Sequence, residues 1–161
     1  MSTRQMLILF IFSITCICCS TNPEDNNSIC TYEDVKLDTT GTILEKSDII
    51  GTWTLRCFVD ISDCSVKNEP EGFPTPAVVI SFQDSGKVSG HTGPEFTGNY
   101  TLSNNNIKIS PLLRPELPEP KPEWANMFYK AALTADYAFI EKSKLFIFFN
   151  QSSHVMVFTK K

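Results

Sequence analysis

A mainly β (α+β) domain is predicted, an antiparallel sheet or partly closed barrel of about seven or eight strands with one helix packed on it. Three observations carry this prediction. From Ser47 onward, short apolar runs alternate with turn residues at the spacing of an antiparallel meander. Several runs are apolar on both faces, so the sheet needs cover on each side. A single stretch, following a proline-rich loop, repeats at helical period.

Residues 1–18 read as a lipoprotein signal peptide. Arg4 is a basic n-region, and the apolar run 6–15 is well short of the ~20 residues that span a bilayer. A cysteine followed by Ser20, Thr21, Asn22, Pro23, Glu24 and Asp25 resembles the lipobox arrangement, in which the new N-terminal cysteine carries acyl chains of the palmitate kind. Cys19 is the expected attachment residue, because the small Cys18 before it suits a signal peptidase; Cys16 and Cys18 are the alternatives. An ordinary secretory signal cut a few residues later competes with this reading. Either signal exports the chain, and the lipid reading anchors it to a membrane of the bacterial cell envelope. The outer membrane is expected, with the chain facing the periplasm or the surface. Residues 19–46, rich in Asn, Thr, Ser, Asp and Glu without sustained apolar period, read as a flexible tether.

The folded domain is expected over 47–161. In strand 51–59, Trp53, Leu55 and Cys57 alternate with Thr52, Thr54 and Arg56, which places all three on one buried face. Strand 77–82 joins strand 87–91 through Asp84, Ser85 and Gly86, a hairpin signature. Strands 96–102 and 107–110 are turned by Asn104, Asn105 and Asn106, which tolerate positive φ. Five prolines between 111 and 122 then forbid ladder bonding and regular helix, so this stretch is a surface loop. Pro122 suits the first turn of a helix, and Trp124, Phe128, Ala131 and Ala132 recur at helical spacing up to about Leu133. A meander of strands 137–141, 144–149 and 154–159 closes the chain. Leu145, Ile147 and Phe149 share one face of its middle strand and Phe146 and Phe148 the other. The helix can cover one side, and a side left bare would be a partner or lipid site.

Removing 1–18 leaves 143 residues, the size of one domain, with 13 basic against 18 acidic side chains and a net charge of −5. Nucleic acid is not an expected partner. A monomer is expected, with an envelope protein as a candidate partner. Of the mature cysteines, Cys57 and Cys64 are the nearest pair, and bridging them would stabilise the fold by roughly 2.5 kcal/mol on the chain-entropy account. Cys30 would then be free or paired elsewhere. No CxxC pair or histidine cluster occurs, and His91 and His154 stand alone, so neither metal nor cofactor is expected. No GxSxG, HExxH, phosphate-loop or dinucleotide fingerprint is found, and no enzymatic activity is expected. His91 with Glu95 and Asp84 is the one titratable cluster. Together with Gly93 it forms a candidate ligand or partner loop, against the simpler reading of a glycine-shaped corner.

The residues resemble the META domain, or HslJ-like, family over about 48–160. Its initial "L.GTW.L" strand is similar to Ile50, Gly51, Thr52, Trp53, Thr54 and Leu55, and the following strand to Ile80, Ser81 and Phe82. The segment "DG.VSG.TGCN...G.Y.L" is similar to the run from Asp84 to Leu102, including Gly86, Val88, Ser89, Gly90, Thr92, Gly93, Gly98 and Tyr100. The later "F..AL.....Y.I....L.L" is similar to Phe128, Ala132, Leu133, Tyr137, Phe139, Ile140, Leu145 and Ile147. Pro94 and Glu95 stand where many relatives have Cys and Asn, and the cysteine just ahead of the family's helix is absent too. In relatives those cysteines would hold the Gly93–Gly98 loop against the loop before the helix. The resemblance implies no catalysis. It points to a non-catalytic envelope lipoprotein, stress-related in the heat-shock sense or an interaction module. A small hydrophobic ligand-binding barrel is the alternative, and it requires a cavity of ~300 Å³ or more lined by Trp53, Phe82 and Tyr100.

Overall fold

The computed structural model describes residues 43–71, 76–141 and 143–161; the expected signal peptide, Cys19, Cys30 and nearly all of the expected tether lie outside them. A short helix, α1 (Lys46–Ile49), precedes β1 (Gly51–Asp60), β2 (Val66–Asn68), β3 (Val79–Phe82), β4 (Lys87–His91), β5 (Glu95–Ser103) and β6 (Asn106–Ile109). Then come α2 (Pro122–Leu133), β7 (Ala135–Glu141), β8 (Lys144–Phe149) and β9 (His154–Lys160). The predicted strands and helix are all present, with small changes at their ends. α1 and β2 are additions that sequence periodicity did not reveal.

β1 organises the sheet. Its first half pairs antiparallel with β3 and its second half with β2, while its other edge pairs with β9 from Trp53↔Lys160 to Asp60↔His154. Strands β3 to β9 follow in chain order, each antiparallel to the next, so β1–β9 pairing closes eight strands into a barrel with β2 as an extra strand. Closure leaves the ladder thinnest at β6–β7, where Asn106↔Tyr137 is the paired position. Buried Asn105 reinforces that seam. Held at positive φ as the asparagine turn predicts, it accepts the Leu44 amide on Oδ1 at 2.9 Å, donates from Nδ2 to the Ala138 carbonyl at 3.1 Å, and its own carbonyl accepts the Ala138 amide at 2.7 Å. Leu44 is itself buried, so the folded unit begins ahead of the expected boundary at Ser47.

Register shifts in β1 between Leu55 and Cys57 against β9, a β-bulge at Arg56. A strand alternates sides every residue, so one inserted residue exchanges the faces of everything after it. Trp53 and Leu55 point into the barrel as predicted, but past the bulge Phe58 points inward and Cys57 and Val59 point outward. The expectation that Cys57 shares a face with Trp53 is thereby corrected. Arg56 is held at the bulge by donating to Thr159 Oγ1 at 3.0 Å and by its ion pair with Glu69 at 3.1 Å.

Two apolar clusters result. The interior cluster takes Trp53, Leu55, Phe82, Phe96, Tyr100, Leu145, Ile147, Met156 and Phe158 from the barrel, together with Trp124, Phe128, Ala131 and Ala132 of α2. α2 therefore seals the barrel interior instead of covering an outer wall. Aromatic packing ties it in, edge-on between Phe58 and Trp124 with centroids at 4.8 Å and tilted between Phe96 and Phe128 at 5.4 Å. The outer cluster holds Cys57, Val59, Phe146, Phe148, Val155 and Val157, the second face that β8 and β9 were expected to carry.

Two glycines are required, for different reasons. Gly93 sits at φ +136°, and a Cβ there would lie 2.3 Å from Pro120 Cδ, so the β4–β5 turn is seated directly on the proline loop. Gly90 has no positive φ and is required because β3 runs close beside it: a Cβ would be 2.0 Å from the Val79 carbonyl oxygen and 2.6 Å from the Phe96 ring.

Trp53→Ala should lower stability by about 3 to 5 kcal/mol in denaturant unfolding, because it empties a core site and removes the 2.7 Å bond from Nε1 to the Ile49 carbonyl. An unchanged unfolding midpoint would contradict the register of β1. Gly90→Val should prevent native folding, seen as loss of near-ultraviolet dichroism, since the clash is with backbone that cannot yield.

Candidate functional site

An open groove of about 610 Å³ lies at one end of the barrel, between the C-terminal half of α2 and the β1–β2 hairpin. Its floor is aromatic, formed by Phe58 and Phe149 with ring centroids 6.2 Å apart. Met127, Ala131 and Leu133 of α2 form one wall, and Leu133 stays 55% exposed there although the same helix buries Trp124 and Phe128. Asp60, Ser65 and Lys67 form the opposite wall, with Lys130, Asn150 and His154 at the rim. His154 Nε2 lies 3.1 Å from Asp60 Oδ2. Hydrogen bonds from the Ser62 hydroxyl and amide, and to a lesser degree His154, hold the Asp60 carboxyl below the usual aspartate range. Asp60 is therefore a committed turn-capping carboxylate, which suits it poorly to general acid work at neutral pH.

Sequence analysis pointed instead to His91, Gly93 and Glu95. The structure brings these together as the β4–β5 turn, with His91 and Glu95 opposite one another in register and the Thr92 amide donating to the Pro94 carbonyl at 3.1 Å. Asp84 sits at the far end of β4, in the β3–β4 turn, and does not join them. What the turn meets is structural. Thr92 Oγ1 donates to Glu119 Oε1 at 3.0 Å, and with that proton committed the Tyr129 hydroxyl is the donor across the 2.8 Å to Thr92. Burial first, and then the Glu119 carboxylate, raise the Tyr129 phenol above its ordinary value, so it remains a donor. Arg114 completes the cluster, 2.8 Å from Glu119 and 4.2 Å over the Tyr129 ring. The turn is thus fastened to the loop before α2 by polar contacts and by Gly93 on Pro120.

The expected Cys57–Cys64 disulfide is not formed. Cys64 is a free thiol in the β1–β2 turn at φ 61°, whereas Cys57 is buried and disulfide-bonded. Asn68 is the residue opposite Cys57, and Cys64 lies four residues before it, roughly 13 Å along the strand, far beyond the ~6.8 Å that a bridge allows. The second sulfur of the Cys57 bridge lies outside the described residues.

The groove escaped sequence analysis because it is assembled from β1, β2, α2, β8 and β9, and β2 has no periodic signal of its own. Leu133 gave one usable hint, an apolar residue at the end of a helix whose inward face is already complete. Among the described residues, no group of three or more His, Cys, Asp or Glu side chains is placed to hold a metal ion, and no helix is long and apolar enough to cross a membrane.

No protein-family profile matches the chain, and no curated protein matches it. Solved structures match in fold. A protein from Burkholderia xenovorans, determined by NMR, is 12% identical with a TM-score of 0.60, spanning 75% of this chain and 91% of that one. A DUF4847 family protein from Bacteroides vulgatus is 15% identical with a TM-score of 0.52, spanning 70% of this chain and 94% of that one. Another NMR structure is 15% identical with a TM-score of 0.55, spanning 73% and 96%. At such identities the likeness is one of fold: the barrel with its sealing helix is an arrangement shared with other proteins.

Proposed function

We propose that this chain is a non-catalytic lipoprotein of the bacterial cell envelope, acylated at Cys19, whose barrel domain binds a small apolar molecule in the groove between α2 and the β1–β2 hairpin. The observation that carries the reading is the pairing of a filled barrel with an apolar groove at its end. Trp53, Phe82 and Tyr100 were the residues whose cavity would have marked an interior ligand site. They are instead packed in the core, with Phe82 and Tyr100 centroids 4.9 Å apart in edge contact. The groove offers the volume that a drug-sized apolar ligand needs, and the Lys67 and Lys130 side chains at its edge can face a polar end. A protein-docking role is favoured by a separate observation: Leu113 and Leu117 of the proline loop are 73% and 59% exposed.

The reading is tested with detergent-extracted full-length protein and the probe N-phenyl-1-naphthylamine. Saturable fluorescence enhancement is expected, and Leu133→Asp or Met127→Asp should weaken it at least tenfold, about 1.4 kcal/mol. His91→Ala and Glu95→Ala should leave probe binding unchanged and shift stability by less than about 0.5 kcal/mol. Probe binding that is indifferent to both groove variants would overturn the site. Loss of binding in a well-folded His91 variant would move it to the β4–β5 turn.

A further inference from the structure

We infer that the molecule held in the groove is a single-chain alkyl carboxylate, with its chain on the aromatic floor and its carboxylate between Lys67 and Lys130. The inference rests on the groove reading above and adds the chemistry of the ligand's polar end. Charge at the groove decides that chemistry. Asp60, Lys67, Lys130 and His154 are its ionisable lining residues, one from each of β1, β2, α2 and β9. The acid among them is already engaged: Asp60 Oδ1 accepts from the Ser62 amide at 2.8 Å and from its hydroxyl at 2.6 Å, and His154 Nε2 stands 3.1 Å from Oδ2. Neither lysine ammonium has a hydrogen-bond or ion-pair partner among the described residues. A ligand that is apolar along its length and anionic at one end matches both unpaired cations. A cationic head would meet two like charges and a carboxylate that is occupied.

Each wall sets a cation beside an apolar side chain. Lys67 is the cross-strand neighbour of Phe58 in the β1–β2 ladder, so the two side chains leave the sheet on the same face. Phe58 is part of the floor, and the methylene stem of Lys67 can run along it while the ammonium stays at the water boundary. On the opposite wall, Lys130 lies three residues before the exposed Leu133, which makes them neighbours on one face of α2. The spacing suits a chain with a charged end.

Two features could oppose an anion here, and neither does. α2 ends at the groove, and bare carbonyls at a helix C-terminus repel negative charge. Thr134 covers them, donating its amide to the Ala131 and Ala132 carbonyls and its hydroxyl to the Lys130 carbonyl at 3.2 Å. Glu123, in the first turn of the same helix, lines a separate recess of about 320 Å³ that Lys121 lines as well.

The test is competition against N-phenyl-1-naphthylamine on the full-length protein in a nonionic detergent, with protein-free micelles as the blank. Laurate should displace the probe at a concentration at least about tenfold below that needed by dodecanol or dodecyltrimethylammonium, which share its chain length. Lys67→Met and Lys130→Met, both at exposed positions, should each remove most of that preference and leave dodecanol and the probe itself unchanged, while Lys67→Arg keeps it. Laurate no better than dodecanol, with probe binding still sensitive to Leu133→Asp, would overturn the carboxylate and leave the groove standing. A probe indifferent to Leu133→Asp would overturn both readings. A laurate preference that survives both methionine variants would move the head away from these lysines and sink the assignment. Stronger displacement by lauroyl lysophosphatidylglycerol than by laurate would give the anionic end to a phosphodiester and equally overturn the carboxylate.

Discussion

Everything in this molecule depends on one strand having three partners. β1 meets β3 and β2 on one edge and β9 on the other, and the β9 pairing turns a meander into a barrel. Without that pairing, the first and last strands would each expose a row of unmatched amides and carbonyls, and the interior aromatics would face water at the opening. Closing the ends of a chain this long costs loop entropy that is repaid only once the interior fills. Filling it falls to large rings from every part of the chain, with α2 supplying the last of them.

The bulge at Arg56 decides what each half of β1 is for. Ahead of it, Trp53 and Leu55 build the interior; beyond it, Phe58 turns in to become the floor of the groove, while Cys57 turns out into the second apolar cluster. A strict alternation would have buried the cysteine in the barrel and put Phe58 on the outer wall. One extra residue, fixed by Arg56 bonding to Thr159 and Glu69, thus places both the floor of the candidate binding site and the sulfur of the disulfide.

This same residue marks the limit of what could be read in advance. Periodicity in β8 and β9 was legible because strict alternation holds along both, and Leu145 and Phe146 fall on the faces their spacing predicts. The helix was legible because Pro122 begins it and its aromatics recur regularly. Cys57 was assigned to the wrong side because a bulge has no signature in an alternating run. β2 is three residues long with no pattern to detect, and the groove it borders was hidden with it. His91 and Glu95 were legible as neighbours, but that their turn is held by Thr92, Glu119 and Tyr129 depends on contacts 27 and 37 residues apart.

The closed ladder has a bearing on crowding. When folded chains collide at high concentration, open sheet edges are the surfaces through which the collisions become permanent. Here the outermost strand of the sheet order is β2, only Val66–Asn68, with a lysine at its centre. A three-residue edge with a central charge is a poor template for strand addition. Among the described residues, the fold therefore presents little open edge onto which a second chain could add a strand.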